Sequence, residues 1–135
     1  MDTDTIVAAM RSPGGASAEL LRWARRGDIA LAASVSLFME YEAVCLRPEH
    51  RLAAGLTLSQ VSVFLDALAF VVEPVEVHFL WRPQLRDPGD ELVLEAAVNA
   101  SATALLTFNL RHFATAAERF GLALMQPGEF LRNIQ

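Results

Sequence analysis

The chain has 135 residues, 53% hydrophobic and 20% charged, which suits one domain with one sizeable core and excludes a disordered chain. The net charge of −5 argues against bulk nucleic-acid binding by a basic surface, yet leaves room for a metal-dependent nuclease whose own acids add to that charge. All eleven cationic residues are arginine, and the single cysteine, Cys45, has no partner for an internal disulfide, which fits a reducing cytoplasm.

Residues 1–10 open with Asp2 and Asp4 ahead of a short apolar segment, and no basic stretch precedes it, so no secretory signal is expected. Ser12-Pro13-Gly14-Gly15 is a turn signal. Leu20, Leu21 and Trp23 give residues 16–26 the pattern of a surface helix that ends near Gly27. Residues 29–33 read as a short buried strand. Ser34 is a good N-cap for a helix to about residue 46, with Leu37, Phe38, Tyr41, Val44 and Cys45 on its apolar face and Glu40 beside that face. Arg47-Pro48 ends it. Thr57 caps a long helix over 58–72, which Pro74 terminates. This apolar run is interrupted by Asp66 and is too short to span a bilayer. Residues 75–80 alternate as a strand does. A loop rich in Pro and Arg follows over 81–89. Then come a helix over 91–100, a strand over 104–107, a helix over 111–120, a strand over 122–125 and a closing helical turn over 127–133. Helix and strand alternate, which predicts a single α/β domain over 1–135 with a parallel sheet covered on both faces.

Asp2, Glu40, Asp90 and Asn109 fall where strands should end or helices begin, and in a parallel sheet such positions gather at one edge. Carboxylates collected there repel one another unless a divalent cation neutralises them, and oxygen ligands favour Mg²⁺ or Mn²⁺ over zinc. Each residue also has a plainer reading. Asp2 is solvated beside the terminus, Glu40 is a helix-surface charge, Asp87 and Asp90 are turn and capping residues, and Asn109 is a turn residue. Spacing alone does not choose between the two.

The motifs carry a resemblance that does. DTDTIVAAMRSPGG resembles the start of PIN-domain proteins, SVSLFMEYEAVCLRP resembles their E-Y-x-x-V helix, and RDPGDELVLEAAVNASATALLTFNLRHF resembles the D-P-x-D helix and T-F-N strand end of a branch described as toxin components. PGEFL near the end is also typical. The resemblance implies a three-layer α/β/α sandwich with a central parallel sheet. It matches Asp2, Glu40 and Asp90 to the family's three acids, and Asn109 to the place of a fourth. Thr3 and Thr107 match supporting hydroxyl positions, and Asp4 replaces the usual Asn. It further implies a Mg²⁺-dependent endoribonuclease (Mn²⁺ as the other candidate ion), held in check in the cytoplasm by an antitoxin protein. RNA is then the substrate and a second copy of the chain a further candidate partner. Asp2 and Asp90 would be the principal metal ligands, with Glu40 binding directly or through water. Arg82 and Arg86 lie just before Asp90 and read equally as holders of flanking phosphates or as a solvated loop pair. The family has several apolar residues before its first acid, forming the central strand. Here only Met1 precedes Asp2, so that strand is expected to be short or missing.

Two rivals use the D-x-D of Asp2-Thr3-Asp4, a haloacid-dehalogenase-like phosphatase, or the acidic α/β pattern, a receiver domain. Both rely on a lysine that this chain lacks. A third alternative is a PIN-like interaction module with an impaired metal site, which failure of the Asp2, Glu40 and Asp90 carboxylates to converge on a common point would favour over catalysis. His50, His78 and His112 are too scattered to form a ligand pair and read as structural. Trp23 and Trp81 read as packing residues, and Cys45 as core. The helix over 58–72 is apolar enough to be fully buried or to meet a partner.

Overall fold

The computed structural model describes residues 1–78 and 84–135. Eight helices alternate with four short strands among them: α1 (Thr3–Arg11), α2 (Ala16–Arg26), β1 (Leu31–Ala33), α3 (Val35–Cys45), α4 (Pro48–Ala54), α5 (Leu58–Val71), β2 (Val72–Pro74), α6 (Pro88–Asn99), β3 (Ala104–Leu106), α7 (Leu110–Phe120), β4 (Ala123–Met125) and α8 (Pro127–Ile134). This is an α/β fold with parallel strand pairing, as expected. The expected caps are also present. Ser34 Oγ accepts the Leu37 N–H, and Thr57 and Gln60 form a reciprocal capping box at the start of α5.

Two elements differ from the sequence pattern. Helix α4 has no counterpart in it: Pro48 ends α3 but also opens a new seven-residue helix at its first position, where a missing N–H costs nothing. The expected strand over 75–80 is displaced. Pairing occurs at Val72–Pro74, where α5 runs directly into β2, and ends with the Val75 N–H on the Ala33 carbonyl at 3.0 Å. The alternation itself persists to His78, with Val75 and Val77 half-buried and Glu76 and His78 exposed. Residues 79 and 80 lie outside the described residues.

The parallel strands form two separate pairs, β1 with β2 and β3 with β4. No strand lies ahead of α1. Helix α6 packs on both β1 and β3 and so bridges the pairs. Between them lies a slot of about 780 Å³, lined by Leu31 and Ala32 on one side, Ala104 to Leu106 on the other, and Ala96 and Ala97 of α6. Met1 reaches into it. Its ammonium is buried there, and that burial lowers its pKa to about 6. The Asp2 N–H donates to the Leu106 carbonyl at 2.7 Å, a single ladder-like bond on the free edge of β3.

The core is built from one face of each of α1, α3, α5, α6 and α7, with β1 and β3 between them. Ile6 of α1, Leu37, Tyr41 and Cys45 of α3, Val61 of α5, Val93 of α6, Leu105 of β3 and Phe113 of α7 are all buried. The Tyr41 hydroxyl donates to the Met1 carbonyl, which pins the start of the chain over α3. Helix α5 is not fully buried. It buries only Val61, Leu65 and Leu68, at helical spacing, and leaves Leu58, Val63 and Phe70 exposed, Phe70 at 95%. No single helix among the described residues is long and apolar enough to cross a membrane; α4 and α5 together reach that length only as a pair bent by 93°.

Because the slot is flanked by two unpaired strand edges, joining a three-residue Val/Ile extension ahead of Met1, matching the length of β1 and β3, should raise the melting temperature by a few degrees. A Gly/Ser extension of equal length should not. Equal effects of the two in a thermal melt would show that the slot does not accept a strand.

Candidate active site

Asp2 is positioned by the start of α1 and the end of β3. It is the N-cap of α1, with extended backbone, and its Oδ1 accepts the Thr3 N–H at 2.7 Å. Its own N–H is held by Leu106, and its Oδ2 accepts the Thr107 hydroxyl at 2.6 Å. The residue is only 5% exposed. Thr107 is wholly buried, and its oxygen also accepts the Asn109 N–H at 2.9 Å. One hydroxyl therefore joins the end of β3 to the beginning of the chain. Of the threonines expected to support the acids, Thr107 does so through its hydroxyl, whereas the bond Thr3 provides is from its backbone N–H. The hydroxyl that braces the Asp2 carbonyl belongs to Thr5, at 2.6 Å. Nothing in the motif singles out Thr5.

Asp4 lies in the first turn of α1. Its Oδ2 accepts the Phe108 N–H and the Asn109 side-chain amide, both at 3.1 Å. Its Oδ1 is buried with no hydrogen-bond partner among the described residues. Burial first, and then the Asp2 charge, raise its pKa to about 7. Asn109 sits at the N-cap of α7 without capping it, and its amide is spent on Asp4.

On the other side, Asp87 caps α6. Its Oδ1 accepts the Gly89 N–H at 2.7 Å and the Asp90 N–H at 3.3 Å, with Pro88 in the first turn. This aims Asp90 from the helix N-terminus. Burial and then the Asp2 charge raise the Asp90 pKa, against the pull of a 3.1 Å contact between its Oδ2 and His112 Nδ1. Glu40 comes from α3, and its carboxylate packs over Gly89. A Cβ there would stand 3.2 Å from Glu40 Oε1 and 3.0 Å from Asp87 Oδ1, so glycine is what lets the two helices approach.

Asp2, Thr3, Asp4, Glu40, Asp87, Asp90 and Asn109 line one cleft of about 640 Å³. Four cationic or titratable groups that the motifs do not point to line it too: Arg11, Arg47, His50 and His112. His112 follows Asn109 by three residues, so the first turn of α7 sets it beside the strand end. That spacing is visible in the sequence, but its carboxylate partner is not. Arg86 is exposed and lies outside the cleft lining, and Arg82 lies outside the described residues.

A family model described as PIN domain matches residues 1–111, which include every acid just described. The chain belongs to the PIN domain family. No curated protein and no solved structure matches it. PIN domains are generally nucleases and usually bind a divalent metal, and the residues of this PIN domain suit such an ion in chemistry. The donors are carboxylate oxygens, and the Asp4 Oδ1 is a buried anionic atom without a partner. Among the described residues, no three His, Cys, Asp or Glu side chains stand close enough to form a ready-made cage. Like charges crowded in one cleft favour that spacing.

Thr107→Val removes the donor to Asp2 and the acceptor for Asn109 while keeping the shape, and should cost about 1–3 kcal/mol in urea unfolding. Asp4 binds its proton more tightly folded than unfolded, so its ionisation drains stability as pH rises from 3.8 to about 7. In metal-free protein, Asp4→Asn should therefore gain on the parent across that window, and the gain should shrink when Mg²⁺ is added. Parallel pH profiles for the two proteins would contradict this.

Proposed function

We propose that this PIN domain is a Mg²⁺-dependent endoribonuclease and the toxin of a toxin–antitoxin pair. The observation that carries the nuclease reading is the Asp2–Thr107 bond. It draws the acids of α1 to the same cleft as Asp90 and Glu40. The toxin role rests on the resemblance of the D-P-x-D and T-F-N motifs. The reading puts the protein in the cytoplasm and implies RNA as substrate, an antitoxin as partner and a second copy of the chain as a further one.

Asp2 and Asp90 are the residues to hold the ion, with Glu40 completing the set directly or through water. Bound Mg²⁺ or Mn²⁺ polarises a phosphodiester and eases deprotonation of water. Asn109 steadies Asp4, and His112 fixes the rotamer of Asp90. The cap at Asp87 keeps α6 aimed so that its positive dipole end adds to the attraction for phosphate. The second reading, a PIN-like interaction module with an impaired site, is favoured by one observation, the lack of a three-donor cage among the described residues.

The test is cleavage of a labelled single-stranded RNA in Mg²⁺, in EDTA and with Asp90→Asn. The expected result is no cleavage in EDTA and a loss on the order of 10²-fold in the variant, the usual cost of removing one group that stabilises transition-state charge. Cleavage that survives both changes would defeat the metal site, and its absence in the parent would favour the interaction module.

A further inference from the structure

The cleft changes character along its length. Its acids cluster where α1, α3 and α6 begin or cross, and its arginines stand further along two of those helices. Arg11 follows Asp4 by seven residues in sequence, and Arg47 follows Glu40 by seven. Between each acid and its arginine, at the fourth position, is a residue that also lines the cleft, Ala8 in one case and Val44 in the other. Positions i, i+4 and i+7 share one face of a helix. The stripe on α1 thus runs Asp4, Ala8, Arg11, and the stripe on α3 runs Glu40, Val44 and on to Arg47. Arg47 is just past the helix but still bonded back through its N–H to the Val44 carbonyl at 3.1 Å. At 1.5 Å per residue, Arg11 stands about 10 Å beyond Asp4 along α1.

Both side chains are exposed, and neither has a hydrogen-bond or ion-pair partner among the described residues. Several other arginines are engaged: Arg22 with Glu19, Arg26 with Asp28, Arg51 with the Leu56 carbonyl and Arg119 with Gln84. A guanidinium left unpaired on the wall of a cleft with several carboxylates, in a chain of net charge −5, has a use if the ligand is a polyanion. We infer that Arg11 and Arg47 form a phosphate-holding pair that seats the RNA strand away from its reacting bond. The inference rests on the nuclease reading and moves the backbone contacts from the loop ahead of α6 to residues that line the cleft itself.

The test is fluorescence anisotropy of a labelled twelve-nucleotide single-stranded RNA (about 12 residues suffices to cover several phosphates), titrated over a range of salt. Asp90→Asn protein serves as the parent so that the strand survives. Adding Arg11→Gln or Arg47→Gln should weaken binding several-fold at low salt. Each should also reduce the slope of log K against log salt by about 0.7, the change expected when one phosphate of a single strand is no longer neutralised. A DNA strand of the same sequence should show the same change in slope, because the pair meets phosphate and not the 2′-hydroxyl. Arg25→Gln, on the exposed side of α2 and outside the cleft lining, is the control and should change neither quantity. Affinity and slope unchanged in both cleft variants would overturn the inference, as would a parent that binds no RNA. RNA cleavage by the wild-type protein would judge the nuclease reading separately.

Discussion

The arrangement depends on one hydroxyl. Thr107 donates to Asp2 across 105 positions of chain, and beside it the Asp2 N–H closes on Leu106. Together with the bonds from Phe108 and Asn109 to Asp4, these two bonds fix the N-terminus of α1 relative to the end of β3. Thr107 does this directly after a three-residue strand, where a buried polar group must be fully satisfied to be stable. It is satisfied on both sides, donating to Asp2 and accepting from Asn109. The same residue therefore sets the acid and begins the turn that delivers Asn109 to Asp4 and His112 to Asp90.

This tie has an electrostatic cost. It holds Asp2 and Asp4 together at low exposure, and burial first and then the Asp2 charge make Asp4 and Asp90 both retain protons more readily than an ordinary carboxylate. The groups that soften the cost differ. Asp4 has a backbone N–H and an amide, which are neutral donors, and Asp90 has an imidazole, which can carry charge. Neither supply fully compensates, as the unpartnered Asp4 Oδ1 shows. A site crowded with like charge gains stability when a cation arrives, because the repulsion removed on binding adds to the attraction gained.

Much of this is legible in the sequence because it is local. Ser34, Thr57 and Asp87 cap helices through bonds spanning three residues or fewer, and each serves an element start near the expected position. The acids are legible through motif, since Asp2, Glu40 and Asp90 each sit in a recognisable run. What is not legible depends on long-range geometry. His112 and Arg47 look ordinary in the sequence because their significance comes from which helix crosses in front of them, and Arg86 looks useful because it is near Asp90 in sequence. The displaced strand has a similar origin. The alternation from Val75 to His78 is real, but the ladder forms at Val72–Pro74 because β1 sets the register, and no property of residues 72–78 alone encodes where β1 lies.

The divided sheet can be understood in the same terms. Parallel pairs are normally stabilised by neighbours on both edges and by helices on both faces. Here β1 and β3 each have one neighbour, and the helix that spans them, α6, presents small residues, Ala96 and Ala97, toward the gap. Small side chains on a covering helix suit a backbone lying close beneath it. Large ones would have closed the slot by collapse. Asp2 is tied to the sheet through Leu106 and Thr107. The placement of Asp2 in the cleft then rests on the end of one strand, and that makes it easier to loosen than the helices around it.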